Sequence, residues 1–255
     1  MRLTVVGCGT VVPEPDRGCS AYFLERGKTR ALVDCGPGAV QAMARLGLPW
    51  DHLSHLFLTH FHSDHVGALP GLFFAFRHGI QPPRTSMPLE VWGPPGTRAL
   101  FDGLAAVLGE FFIDPGFPVS IREIVAGTEV VAGDLVVTSH DVPHTPESVA
   151  LRIASATGAA LVYTGDTGPD ESLAEFCRNV DLLLAECSLP DDRVGDNHLS
   201  PSRLARMARR SGARRVVATH VYPQFRHAVD VASLISEAGY AGPVELASEG
   251  LTIDL

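Results

Sequence analysis

No apolar run in this 255-residue sequence approaches the ~18 residues needed to cross a bilayer, which argues against a protein built on membrane-spanning helices. The opening stretch Met1–Gly7 is too short and too soon broken by glycine to serve as a signal-peptide core. There is no C-x-x-C pair. The five cysteines, Cys8, Cys19, Cys35, Cys177 and Cys187, are odd in number and widely spaced, and read as reduced thiols of a cytoplasmic protein. A basic footprint is missing as well: the formal net charge is −9, whereas nucleic-acid binding draws on clustered lysine and arginine. The one concentration of arginines, between Arg203 and Arg215, falls mostly on an expected helix and reads as a solvated face. No repeat of 20–50 residues is visible.

Hydrophobic content of 45% and 19 prolines describe a compact chain rich in turns, long enough for a sizeable core. Short β-rich runs alternate with amphipathic stretches, which predicts α/β layering. Strands are expected at Leu3–Val6, Ala21–Glu25, Arg30–Val33, Leu53–Thr59 and Leu89–Trp92. A second β-rich section covers Val119–Ile124, Val130–Val131, Leu135–Ser139, Val149–Ile153 and Ala160–Thr164. Helices are expected at Ala39–Leu46, Val66–Phe76, Thr97–Leu108, Glu171–Cys177, Ser202–Arg210 and Val229–Ala238, with strands at Leu182–Ala185 and Arg215–Thr219. Leu58-Thr59-His60 and Ala218-Thr219-His220 both end a strand in Thr-His, so one domain over residues 1–255, made of two similar halves meeting at a site, accounts for the pattern.

The densest chemistry is His60-Phe61-His62-Ser63-Asp64-His65, directly after the apolar run Leu56-Phe57-Leu58-Thr59. Side chains alternate along an extended chain, so a strand ending here directs His60 and His62 to one side, with Asp64 and His65 at the following helix. Nitrogen and oxygen donors at this spacing suit zinc or another borderline metal. Further donors follow at expected strand ends: His144 after Leu135–Ser139, Asp166 in Tyr163-Thr164-Gly165-Asp166, and His220. Loops over a rigid sheet are where α/β proteins build sites. His140 competes with His144 for its place.

His-x-His-x-Asp-His followed by His144, Asp166 and His220 resembles the metallo-β-lactamase superfamily, over nearly the whole chain. Asp34 in Asp34-Cys35-Gly36 is similar to its early Asp-x-Gly segment, and Gly7-Cys8-Gly9-Thr10 to its first turn. The resemblance implies an αββα four-layer sandwich of two mixed β-sheets flanked by helices. It also implies two divalent metal ions, zinc first and manganese or iron as alternatives. One would take His60, His62 and His144, the other Asp64, His65 and His220, with Asp166 between them and Asp34 orienting a ligand imidazole from behind. Two such ions can share a hydroxide and lower its pKa towards ~7. Asp64 departs from the class B1 zinc β-lactamases and agrees with phosphodiesterases, lactonases, glyoxalase-II-like thioesterases and persulfide dioxygenases.

Leu183-Leu184-Ala185-Glu186-Cys187, then Asn197-His198-Leu199-Ser200 before a helix, is similar to the Glu and His pair of ribonuclease Z. The resemblance implies that His198, held by Glu186, donates a proton to a leaving oxygen or stabilises a phosphorane. The plainer alternative is a loop histidine beside a helix capped by Ser200. No basic insertion resembling the tRNA-gripping arm of ribonuclease Z is present, and Gly36-Pro37-Gly38-Ala39 departs from its Gly-Glu-Gly-Thr. The expected enzyme is a short phosphodiesterase acting on a small or cyclic phosphodiester, with RNA less favoured. Hydrolysis of a lactone, thioester or β-lactam by the same centre is the enzymatic alternative; a metal-stabilised binding domain is the non-enzymatic one. Phe73, Phe74, Phe76, Phe111, Phe112 and Phe117, in the segments Phe73–Ser86 and Phe111–Pro118, are candidates for a substrate mouth, a homodimer contact or plain core.

Overall fold

Alternating buried residues along the short β-rich runs need two apolar surfaces to face each other, and the chain answers with two seven-stranded sheets. The computed structural model describes residues 1–80, 84 and 87–255. In chain order the strands are β1 (Arg2–Gly7), β2 (Ala21–Arg26), β3 (Thr29–Val33), β4 (His55–Phe57), β5 (Leu89–Gly93) and β6 (Val119–Glu123). Then come β7 (Glu129–Ala132), β8 (Leu135–Asp141), β9 (Val149–Ser155), β10 (Ala160–Tyr163), β11 (Leu182–Glu186), β12 (Val216–Thr219), β13 (Val244–Leu246) and β14 (Thr252–Asp254). The helices are α1 (Ala39–Arg45), α2 (Ser63–Val66), α3 (Leu69–His78), α4 (Thr97–Leu108), α5 (Glu171–Phe176), α6 (Pro201–Ser211), α7 (Pro223–Arg226) and α8 (Val231–Glu237).

One sheet runs β14-β1-β2-β3-β4-β5-β6 and the other β13-β12-β11-β10-β9-β8-β7. Each joins an antiparallel portion to a parallel one: β3 to β6 are parallel in the first, β10 to β13 in the second. Leu3, Val5, Leu24, Val33 and Phe57 of the first sheet pack on Leu151, Ile153, Leu161, Leu184 and Val217 of the second. Outside them, α1, α3 and α4 cover one sheet and α5, α6 and α8 the other, each over its own apolar layer. This is the αββα sandwich expected. The closing strand β14 returns to pair with β1, so the end of the chain completes the first sheet.

Several boundaries move for identifiable reasons. Pairing of β4 stops at Phe57, and Thr59 bends the chain, so His60 and His62 stand on a loop beyond the strand. The helix expected over Val66–Phe76 begins at Ser63 and breaks at Gly67-Ala68 into α2 and α3. Pro223 opens α7, a turn of helix absent from the sequence reading. Of the aromatic candidates, Phe73, Phe76, Phe112 and Phe117 are core, while Phe74 is 54% exposed. Residues 81–83 and 85–86 of the Phe73–Ser86 segment lie outside the described residues.

Candidate metal centre

The two sheets carry their loops to a common edge, and the sequence-predicted donors converge there. His60, His62 and His144 form one group of donor atoms, Asp64, His65 and His220 a second, and Asp166 touches both: its carboxylate lies 3.3 Å from His65 Nε2, 3.5 Å from His220 Nε2 and 3.8 Å from His144 Nε2. His144 Nε2 lies 3.1 Å from His62 Nδ1, and His220 Nε2 3.2 Å from Asp64 Oδ2.

Local structure aims each ring. Asp34, fully buried and at φ 55, accepts Nδ1–H of His65 at 2.7 Å, the Thr59 backbone N–H at 2.9 Å and the Tyr163 hydroxyl at 3.1 Å. Thr59 Oγ1 donates to the same carboxylate and meets His60 Nδ1 at 3.1 Å. His144 Nδ1–H donates to the Asn197 carbonyl at 2.9 Å, and His220, also at positive φ, donates Nδ1–H to Ser188 Oγ at 3.0 Å. With Nδ1 engaged in this way, Nε2 of His60, His65, His144 and His220 faces the shared space. Two glycines permit the packing. A Cβ on Gly36 would collide with the Asp64 carbonyl, and one on Gly168 with the Asp196 carbonyl, so the Asp34 segment lies flat under α2 and the Asp166 turn against the His198 loop.

Among the described residues His60 Nε2, His65 Nε2 and Asp166 Oδ1 are buried without a well-aligned hydrogen-bond partner, the last two facing each other at 3.3 Å. Buried polar atoms left unpaired each cost about 1–3 kcal/mol, and three converging on one point ask for a cation. The electrostatics agree. Burial, with the neighbouring imidazoles His65, His144 and His62, pushes His60 down to about 2, keeping it a neutral donor. Burial raises Asp64, but the hydrogen bond from His220 and the charge of His65 win, bringing it down to about 2. Burial disfavours a charged His65 too, yet Asp166 and Asp34 outweigh it and hold its proton well above the usual imidazole range. A cation at Nε2 must displace that proton, so metal binding weakens in acid.

His140 stands elsewhere. Alternation along β8 turns it to the helix-covered face, where it stacks on Phe176 at 5.0 Å and meets Ser172 Oγ at 2.9 Å. Glu186 and His198 come together at the rim: His198 Nδ1–H donates to Glu186 Oε1 at 2.8 Å, and the His198 ring stacks 6.1 Å from His220. Burial works against a charged His198, but the bond to Glu186 and its negative charge raise the pKa above the ordinary 6.5. Ser200 sits at the N-cap of α6 without capping it; its hydroxyl bonds Asp191, which also accepts Ser202 N–H at 3.3 Å. Sequence reasoning missed Ser188, whose hydroxyl donates to Glu186 Oε2 at 2.5 Å while accepting from His220. A serine two residues past the strand-end glutamate was its only signal. A cavity of about 310 Å³, lined by Val11, Asp64, His198 and Tyr222 among others, opens over the cluster.

The beta-lactamase superfamily domain matches residues 29–221. An uncharacterized protein of Mycobacterium leprae is 34% identical over 100% of this chain and 89% of its own length. Ribonuclease Z of Haloferax volcanii is 27% identical over 100% of this chain and 95% of its own. Among solved structures, the metallo-β-lactamase fold protein YhfI of Bacillus subtilis superposes with a TM-score of 0.83 at 25% identity, covering 99% of both chains. Fold, donor cluster and relatives agree: the chain belongs to the β-lactamase superfamily and is a metal-dependent hydrolase related to ribonuclease Z.

Proposed function

We propose that the protein is a phosphodiesterase working with two divalent cations, zinc in the first instance, on a small or cyclic phosphodiester. The observation that carries this is the Glu186–His198 pair, held at 2.8 Å on the rim of the donor cluster, where a proton is needed only if the leaving group is a poor one. His60, His62 and His144 would hold one cation and Asp64, His65 and His220 the other, with Asp166 between them. When bound, the cations supply Lewis acidity towards water and the phosphoryl oxygens.

The chain's own residues do the rest. Asp34, Thr59, Asn197 and Ser188 fix the imidazoles so that the donor set is ready-made. Hydrolysis adds one water oxygen to phosphorus and breaks one P–O ester bond, and the departing oxygen takes the Nε2 proton of His198. Glu186 compensates the charge of His198 before transfer and fixes which ring nitrogen faces the substrate. A positioned acid of this kind is worth ~10²–10⁴-fold. The net charge of −9 supports a small diester over a long polyanion, although relatives named ribonuclease Z keep RNA as the competing substrate class. Phe74, Val107, Leu108 and Ile113, exposed on and beside α3 and α4, support pairing of two copies.

The test couples metal analysis to a substrate panel. Two metals per chain and turnover of bis(p-nitrophenyl) phosphate are expected; His144→Ala lowers the metal content and His140→Ala does not. High kcat/KM on lactones or thioesters with none on phosphodiesters would sink the reading.

A further inference from the structure

Beside the metal centre a second, larger cavity of about 520 Å³ runs between the segment 11–18 and helix α1. It is continuous with the first: Val11, Ser63 and Asp64 line both. His198 lines only the metal-centre cavity, so a diester with its phosphorus at the cluster and its leaving group at His198 directs its other substituent past Asp64 into this groove. The walls are mainly apolar, with the faces of Pro13, Pro15 and Pro37 among them.

The charges lining the groove are unequal in availability. Glu14 is committed to Arg226, and Glu249 to Arg45 and to the Gly18 backbone N–H. Arg17 donates to Cys8 Sγ at 3.0 Å, and among the described residues it has no carboxylate within ion-pair distance. A cysteine sulfur is a weak acceptor and not a carboxylate, so this contact leaves the guanidinium without an anionic partner. One free planar cation, counted among the described residues that line the groove, suits a heteroaromatic ring between proline faces: the guanidinium stacks on it or donates to its acceptor edge, and the proline rings cover its face. A polyphosphate or a run of nucleotides would need more cations than one.

We infer that this groove is the subsite for the nucleoside that stays on the phosphate after cleavage, with Arg17 its polar anchor. The inference rests on the phosphodiesterase reading and fixes the substrate's orientation: leaving oxygen at His198, retained nucleoside between the 11–18 segment and α1. Only binding is involved; the bond broken is the one already described.

Two diesters with the same leaving group test it on the metal-loaded protein: thymidine 5′-(p-nitrophenyl phosphate) and methyl p-nitrophenyl phosphate. The nucleoside diester is expected to win in kcat/KM by roughly 10–100-fold, the range of a bound, stacked base, with the difference in KM. Arg17→Ala reduces that ratio at least tenfold. Gln41→Trp, which narrows the groove from the exposed face of α1 without touching the 11–18 segment, reduces it too, so a folding defect in the first variant does not leave the matter open. Calorimetric binding of thymidine 5′-monophosphate, the expected product, weakens in the same two variants. Equal kcat/KM for the two diesters, or a ratio unmoved by both substitutions, overturns the subsite while leaving the phosphodiesterase reading intact. Greater activity on a methyl-type diester carrying an added phosphate overturns it as well. Failure to turn over either diester overturns the phosphodiesterase reading, and the subsite with it.

Discussion

Replacing Glu186 by glutamine tests the proposed acid most directly, because five donors meet on this one buried carboxylate. Oε1 accepts the Thr167 N–H at 2.8 Å and His198 Nδ1–H at 2.8 Å; Oε2 accepts the Ser188 N–H at 3.2 Å, its hydroxyl at 2.5 Å and the Leu199 N–H at 3.2 Å. A glutamine offers one acceptor oxygen and an NH₂, so one side must face donors with a donor. With its oxygen towards His198, the backbone N–H groups of Ser188 and Leu199 lose their partner. At about 1–3 kcal/mol for each unpaired buried group the cost is roughly 2–6 kcal/mol. In a chain of this size that lowers Tm by roughly 5–20 °C. The rate effect is separate. The bond from His198 to a charged partner is worth about 1.5–3 kcal/mol, and losing it lowers the histidine pKa towards its ordinary range. The sign follows: Glu186 raises His198 above its ordinary 6.5, the working form is protonated, and activity falls on the alkaline side as that proton leaves. Glu186→Gln therefore moves the alkaline limb of kcat/KM to lower pH. His198→Ala removes the limb, at a cost of ~10²–10⁴-fold for a diester with an alkoxide leaving group. For a p-nitrophenolate leaving group, which departs unprotonated, the cost is much smaller. The assay is a pH profile with both leaving groups on variants shown to be folded by circular dichroism. A folded Glu186→Gln protein with an unmoved alkaline limb, or a His198→Ala loss equal for both leaving groups, refutes the acid role. Ser188→Ala is the comparison variant: it cuts the link from Glu186 to His220 and a 3.4 Å contact to His198 Nδ1, and leaves the 2.8 Å bond from His198 to Glu186 in place.

Two further outcomes are expected. Asp34→Asn, which removes the charge behind His65, weakens metal affinity by roughly 10–100-fold in chelator competition while leaving the metal-binding residues themselves unchanged; unchanged affinity would remove Asp34 from any orienting role. His55 is buried on β4, and burial lowers its pKa below the ordinary 6.5 despite the charge of Glu90. The unfolded chain then binds the proton more readily, so this residue's stabilising contribution is present above 6.5 and is lost as pH falls below it. His55→Phe flattens the stability profile on the acid side of pH 6.5 in urea titrations, and an unchanged slope there would contradict the assignment.

Much of the centre was legible before any fold was known, because its donors obey local rules. His60, His62, Asp64 and His65 lie within one short stretch after a strand, and Asp166 and His220 stand where β10 and β12 run out. A hydrophobic run followed by a turn and a donor is written in neighbouring residues. The α/β layering was legible for the same reason, since alternation and helical spacing are periods of the local sequence, whereas the αββα order was implied by the family resemblance. The choice between His140 and His144 was not, because four residues of chain do not say which turns back. It depends on β8 carrying His140 to the outer face against Phe176, while the turn after β8 folds His144 onto Asn197, 53 positions away. Ser188 and Thr59 gain their roles only once Glu186, His220 and Asp34 stand beside them. The groove draws on residues near 11–18, 37–45, 63 and 249, which meet only because the two sheets pack face to face and bring their loops to one edge. The donors of this protein were thus set by its sequence, whose local periods place them at strand ends; their partners and the shape of the space around them were set by tertiary packing, which joins segments that share no local pattern.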